Sequence, residues 1–479
     1  MINYREMPKG VLLINIIQLF STVGYAALMG LLNFYLTQHI GMAQSEANTL
    51  TASFFAINFL YHFLGGAVGG RYISFRGLFF ISLALQFIGL LLIAINNHSI
   101  VLLGMATFIT GSGLNVSCIN MMLTQLFKPN DNKRRQAFAV NYSFMNIGFL
   151  ITFLIAGYLQ GQNQYAPTFI FAAICMIIAM GLHLGLWKHV KDKDTSYSLN
   201  FFNSSKRFFY TPIIVIACLV FALFLMHYPN FGSWVVNISF ILMVIYLIKF
   251  AFQQQKEYRI KIFTYMILMV GTMLFACVQG LQSTALESFV EYNTNKSLFG
   301  IEMQPATINM FESLGVIIFG FVFAAIMKNS KVKTAPATYV TRGLLSYVLA
   351  FLMIPLGVFL SNSYGLSSVI FPILLLLIVA AGEVQVNPVN FAMAGEMLEP
   401  QHQGLFTGYL FLNVAFGINL SGPISNYALA SESSNQTNPL MTNHLYSEIF
   451  YVMAIAALAI AILFYFSIKA VSKSPKTSN

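Results

Sequence analysis

Charge is scarce in this sequence: Asp, Glu, Lys and Arg make up 8% of its 479 residues, against about 25% in a soluble domain. Water cannot solvate a surface so poor in charge, so most of the surface must face lipid. Cysteine is nearly absent as well. Cys118, Cys175, Cys218 and Cys277 each lie inside an apolar run with no CxxC spacing, so they read as buried thiols rather than metal ligands or redox centres. There is no HExxH, no GxSxG, no His/Asp cluster and no nucleotide-binding P-loop. These absences argue against a membrane enzyme and against ATP as the energy source, and they leave no metal site and no cofactor to expect. A cleavable signal peptide is not apparent either, because the apolar run after the polar first ten residues is too long for a signal core.

Hydrophobic residues fill the space, at 57% of the chain. The apolar runs are long and lack the short alternation of a membrane barrel. Lipid demands that every backbone polar group be satisfied internally, so helices remain. A span needs about 20 apolar residues. Spans 1 to 6 are expected near 10–37, 49–70, 77–97, 99–126, 136–160 and 165–188. A basic linker, 189–207, precedes two further spans, A near 209–228 and B near 231–253. Spans 7 to 12 follow near 260–285, 305–328, 337–361, 366–395, 402–427 and 446–470. The expectation is an all-α membrane protein of fourteen spans arranged six, two and six. It divides into an N-terminal bundle (1–190), a linker with two extra helices (191–256) and a C-terminal bundle (257–479).

Lys and Arg orient the spans, because short cytoplasmic loops collect them. With the N-terminus inside, Lys296 is the single exception among 25 basic residues. Both termini are therefore expected in the cytoplasm. The spread of basic residues over every inner loop also accounts for the net charge of +10 without nucleic acid. Two six-helix halves suggest alternating access around a midplane site. Gly65, Gly66, Gly69 and Gly70 read as a close-packing device.

Ionisable groups inside a membrane are costly and so mark candidate sites. Two stand out, Glu383 in AGEVQVNPV and Glu312 in ATINMFESLG. Asn387 and Pro388 follow Glu383 by about one turn, and a proline-induced break beside the carboxylate is expected. Neutral hydrogen-bonding residues recur on three other spans: Asn15 and Gln18, then Asn141, Tyr142 and Asn146, then Gln279 and Gln282. They serve equally well as interhelical glue or as substrate contacts. His62 and His183 read as satisfied core histidines rather than proton relays.

Five stretches carry a family resemblance. NYSFMNIG (141–148) resembles the FYxxINxG signature of the proton-dependent oligopeptide transporter family, within the major facilitator superfamily. GSGLNVSCIN from Gly111 resembles its GxGLxKPN stretch, and AGEVQVNPV from Ala381 its GExxxxPxG stretch. GLFTGYLFLNVAFGINLSG from Gly404 resembles the segment of span 11, and GGAVGGRYISFRG from Gly65 the GGxxADRxxGxR loop. The resemblance implies the major facilitator fold, a bacterial inner-membrane location, and proton-coupled import of di- and tripeptides. It implies that Glu383 takes the peptide amino group and that Asn146 and Tyr142 belong to the span 5 signature.

The departures form a pattern. The ExxER motif of span 1 reads Asn15, Ile16, Ile17, Gln18, Leu19; the span 4 lysine falls on Val116, a helix 7 glutamate near Gln279, and the inner-loop aspartate on Gly70. A span 8 asparagine falls on Glu312. The resemblance thus implies a pocket that has lost its positive wall and doubled its negative one. The expected substrate is a small peptide-like or amine-bearing solute, and the expected proton carriers are Glu383 and Glu312. Expected contacts are Glu383, Glu312, Asn146, Tyr142, Asn15, Gln18, Gln279, Gln282 and Asn387. The alternatives are an ordinary di-/tripeptide symporter and a proton-driven exporter of a peptide-like natural product; a transport-dead sensor is a third, though the sequence carries no soluble appendage.

Overall fold

A computed structural model of the chain describes residues 7–128, 131, 133–193, 195, 198, 209–329, 336–397, 403–429 and 438–472. The chain forms two compact units, Met1–Gly232 and Ser233–Asn479. Eleven helical stretches among the described residues are long and apolar enough to cross a membrane, and Ile370–Val386 is a shorter apolar stretch.

The first unit holds α1 (Val11–Phe34), α2 (Gln44–Val68), α3 (Phe75–Ile93), α4 (His98–Gln125), α5 (Lys133–Gln160), α6 (Ala166–Leu186) and α7 (Tyr210–His227). A π-helical turn, Tyr35–His39, extends α1. Short polar caps start the helices. Ser74 accepts from the Gly77 N–H at α3, and Asn97 from the Ile100 N–H at α4, each satisfying a donor that the first helical turn leaves free. α3 and α4 meet backbone to backbone. A Cβ at Gly89 would lie 2.7 Å from the Phe108 nitrogen, and one at Gly104 2.7 Å from the Ile93 nitrogen. Small residues permit that approach.

The glycines after span 2 divide their roles. Gly65 packs on the Leu114 carbonyl, while Gly66 has room around it. Gly70 sits at φ +70 in the turn to α3, a conformation that a side chain disfavours.

The second unit holds α8 (Pro229–Phe252), α9 (Lys256–Gln282), α10 (Ala285–Asn293), α11 (Pro305–Ile308), α12 (Met310–Asn329), α13 (Pro336–Phe351), α14 (Met353–Phe359), α15 (Ile370–Met397), α16 (Gln403–Ala428) and α17 (Pro439–Ser472). Four two-residue strands decorate it. β1 (Thr294–Asn295) pairs in parallel with β4 (Ser367–Ser368), and β2 (Ser297–Leu298) forms a hairpin with β3 (Ile301–Glu302).

The two units repeat one packing scheme. In the first, α1 packs on α5 and α6, α2 on α4, and α3 on α4 and α6. In the second, α9 packs on α16 and α17, α12 on α15, and α13 on α15 and α17. Counting six spans per half, these are the same five pairs. α7 and α8, which are spans A and B, each dock on one unit. α7 packs on α4 and α2, where the Tyr61 hydroxyl donates to the Cys218 carbonyl at 2.9 Å. α8 stacks Phe240 on Phe416 of α16, and Asn419 donates to Asn237 at 2.9 Å. The outward residues Ile213, Ile216, Ile241 and Leu242 are exposed, as lipid-facing groups are.

Three local features depart from the sequence expectations. Span 7 stops at Gln282 and resumes as the separate helix α10. Span 9 divides at Leu352 into α13 and α14. At Pro388 the expected break does not occur: α15 stays α-helical from Ile370 to Met397. A proline removes one backbone hydrogen bond, and packed neighbours let a membrane helix absorb that loss.

Candidate functional site

In the first unit the candidates lie on α1 and α5, which pack together. Asn15 is fully buried, and its Oδ1 accepts from the Asn141 amide at 3.1 Å. The pair ties the two helices, which is the glue role. One turn along α1, the Gln18 Oε1 is buried with no hydrogen-bond partner among the described residues. Asn146 is buried and donates to the Tyr142 carbonyl at 3.0 Å, within its own helix, while the Tyr142 side chain is 36% exposed. His62 is buried against the Gly113 carbonyl at 3.4 Å, and the His183 ring lies 2.8 Å from the Arg76 carbonyl. Both rings have backbone partners, but the buried His183 Nδ1 has no hydrogen-bond partner among the described residues, so His183 is only half satisfied.

In the second unit the candidates gather on α9, α12 and α15. Glu312, in the first turn of α12, is 7% exposed. Fully buried Gln282, the last residue of α9, donates from Nε2 to its Oε2 at 2.6 Å. The Glu312 Oε1 and the Gln282 Oε1 have no hydrogen-bond partner among the described residues. Glu383 on α15 is 5% exposed. Gln279, one turn before Gln282, is half-buried. Asn387 lies on α15, but its side chain is outside the described residues.

Sequence reasoning missed Tyr347. This α13 residue is fully buried, its hydroxyl has no hydrogen-bond partner among the described residues, and it interacts electrostatically with both Glu383 and Glu312. The ring rests on Gly382, beside Glu383, where a Cβ would meet it at 2.5 Å. Tyr347 thus stands within electrostatic reach of two carboxylates that the sequence places on spans 8 and 10. Its only signal in the sequence is a phenol beside Ser346 in the otherwise apolar run LLSYVLAF.

Chemically, this is a set of two acids, one amide donor and one phenol, all buried. Buried carboxylates on packed helices resist ionising together, so a proton or an incoming cation is what the arrangement can hold. The described Lys and Arg residues stand at or near helix ends; Arg342, two turns into α13, is exposed. Leu19 and Val116 supply no charge. Among the described residues no group of three or more His, Cys, Asp or Glu side chains is placed to hold a metal.

The family profile described as the POT family matches residues 76–441. The chain belongs to the POT family. Similar proteins include dipeptide and tripeptide permease A of Erwinia pyrifoliae, 26% identical over 464 residues and aligned over 96% of this chain and 94% of that one. Dipeptide and tripeptide permease B of Salmonella typhimurium is 24% identical, over 96% of this chain and 94% of the permease. Among solved structures, a variant of peptide transporter POT in complex with alafosfalin superposes with a TM-score of 0.83 at 20% identity, covering 99% of this chain and 97% of that one. The fold of this POT-family protein is thus that of the major facilitator superfamily. It is an integral membrane transporter of the all-α class.

Proposed function

We propose that this protein is a secondary active transporter that moves a small peptide-like or amine-bearing solute by alternating access, coupled to protons, with Glu383 and Glu312 as the proton carriers. The observation that carries this reading is the buried cluster of Glu312, Gln282, Tyr347 and Glu383. A cationic amine displaces the shared proton from such a cluster, and that exchange is the coupling step. Asn15, Gln18, Tyr142, Asn146, Gln279 and Asn387 are the further proposed contacts. The proposed setting is a bacterial inner membrane, with fourteen spans arranged six, two and six and both termini in the cytoplasm. The placement of basic residues supports the orientation.

A second reading, ordinary di- and tripeptide symport, is favoured by the names of the similar permeases. The two readings differ over the substrate carboxylate. With Leu19 and Val116 at the two cationic positions of the family motifs, a substrate carboxylate meets no charged partner, and a stranded buried charge costs several kcal/mol. Proteoliposomes under an inward proton gradient separate them, using alanyl-alanine and its C-terminal amide, alanyl-alaninamide. We expect the amide to be taken up at least about tenfold better, the equivalent of roughly 1.4 kcal/mol. Equal or better uptake of the free dipeptide establishes the second reading. No gradient-driven uptake of either compound rejects proton coupling.

A further inference from the structure

One buried acid has no part in the chemistry above. Glu287 is 2% exposed, and neither of its carboxylate oxygens finds a hydrogen-bond partner among the described residues. Its placement follows from the interruption of span 7. Thr284, at φ −143 and ψ −99, ends one helical segment and begins the next. The joint is held from α16. Ser425 Oγ accepts the Ala285 N–H at 3.1 Å and donates to Thr284 Oγ1 at 2.8 Å, while Thr284 donates to the Gly280 carbonyl at 2.9 Å.

The restart puts Glu287 in the first turn of the nine-residue helix α10. There two influences oppose each other. The start of a helix favours an anion, and burial without a partner favours the neutral acid. A carboxyl under opposed influences of this kind can be both loaded and unloaded.

Its chain neighbours include a member of the cluster. Gln282, the amide that holds Glu312, lies five residues back along the same chain. α10 packs on α11, and Asn309 stands at the joint between α11 and α12, three residues before Glu312. Asn309 is also buried, with an Nδ2 donor that has no acceptor among the described residues. Buried Gln282, Glu287 and Asn309, each with an unsatisfied polar atom among the described residues, thus lie on the stretch of chain that ends at Glu312. The titratable groups at this end of the packed elements are Tyr427, His444, Tyr446 and Glu448. His444 and Glu448 are exposed, with Tyr427 donating to Glu448 at 3.0 Å, and Tyr446 stacks edge-on against Phe289. On α10 itself, Glu291 is paired with Lys296 of the following loop at 2.9 Å, and Tyr292 is half-buried.

We propose that Glu287 is the proton-loading carboxyl of this transporter: it takes a proton at the α10 end of span 7 and releases it to Glu312. Only O–H bonds form and break, one on each acid, and no co-reactant is needed. The inference rests on the proton-coupled reading.

The test uses Glu287→Gln and Glu287→Asp in proteoliposomes with alanyl-alaninamide. Gradient-driven uptake is compared with counterflow, an exchange that needs no net proton movement. We expect Glu287→Gln to lose driven uptake by about a hundredfold, the lower scale of a lost proton-transfer group. Counterflow should stay near wild type, and Glu287→Asp should recover part of the driven rate. Wild-type driven uptake and pH profile in Glu287→Gln overturn the proposal, as does an equal loss of both activities in a folded variant. If the wild type itself shows no driven uptake, the coupled reading fails and the inference falls with it. Should Glu287→Gln not fold, labelling of the wild type with a hydrophobic carbodiimide decides, because that reagent requires the protonated acid. Modification at Glu287 that fades as pH rises supports the proposal, and none at any pH refutes it.

Discussion

Tyr347→Phe deletes a single buried oxygen within electrostatic reach of two carboxylates, and two measurements should then move in different directions. The ring keeps its place: it stacks on Phe275 with centroids 6.0 Å apart and rests on Gly382, contacts a phenylalanine preserves. The hydroxyl is buried and lacks a hydrogen-bond partner among the described residues. A buried polar group left unsatisfied costs about 1–3 kcal/mol. Removing it should therefore leave stability unchanged or raise it by up to about that amount. At about 2–4 °C per kcal/mol for a unit of this size, the melting temperature should hold or rise by several degrees. Transport should suffer. During transport the hydroxyl is expected to turn and donate to whichever of Glu312 and Glu383 ionises, a bond worth about 1.5–3 kcal/mol, or roughly 10- to 100-fold in the population of the charged state. Gradient-driven uptake in proteoliposomes should fall by that order while thermal unfolding of the purified protein shows no loss. A variant that melts lower yet transports normally makes Tyr347 a structural residue, and the link between the two acids is then refuted.

Two further outcomes follow from the topology. Reporter fusions at Ser204 and at the C-terminus should both read cytoplasmic and one at Asn435 external; an external C-terminus refutes the orientation drawn from Lys and Arg. Asn237→Ala removes the partner of Asn419 at 2.9 Å and leaves the Ser233 carbonyl at 3.4 Å as a fallback. It should lower stability by about 0.6 and at most about 1.7 kcal/mol, the range of interhelical bonds in a membrane, with transport unchanged. Loss of substrate binding in a folded Asn237→Ala protein places α8 in the transport path.

The spans were legible because a run of about 20 apolar residues has few other uses. What escaped were the joints. Gln282, Ser283 and Thr284 read as the polar end of a span, and only the Ser425 contact from α16, 140 residues away, shows that the helix restarts. Span 9 breaks at Leu352, where Pro355 cannot donate the helical bond to the Phe351 carbonyl, whereas Pro388 sits in continuous helix. Local chemistry proposes a break, and packing from distant residues decides whether it forms. The candidate site shows the same division. Glu312 and Gln282 were each visible as polar residues in apolar surroundings, but their 2.6 Å contact depends on how α9 and α12 run past one another. Glu287 was passed over because its acid-containing segment, ALESFVEYN, reads as the polar end of a span rather than as interior.

The repeated packing scheme sharpens what separates the two halves. The same five helix pairs build each unit, yet the interior polar groups differ in kind. Five of the 15 acidic residues fall within residues 1–232, at Glu6, Glu46, Asp131, Asp192 and Asp194; of the three that are described, Glu46 sits in the first turn of α2 and Asp131 and Asp192 lie outside the helices. The buried amides of that unit are neutral, and the Asn15–Asn141 pair answers itself. The second unit buries Glu287, Glu312 and Glu383. A neutral amide pair holds its bonds whatever the pH, so it can position helices but cannot exchange a proton. A buried acid can, because its neutral and charged forms differ by one proton and its surroundings set which form is held. On one scaffold used twice, exchangeable protons therefore have carboxyl carriers in the second unit. A mutation that moves the pH response should consequently map to α9, α10, α12, α13 or α15.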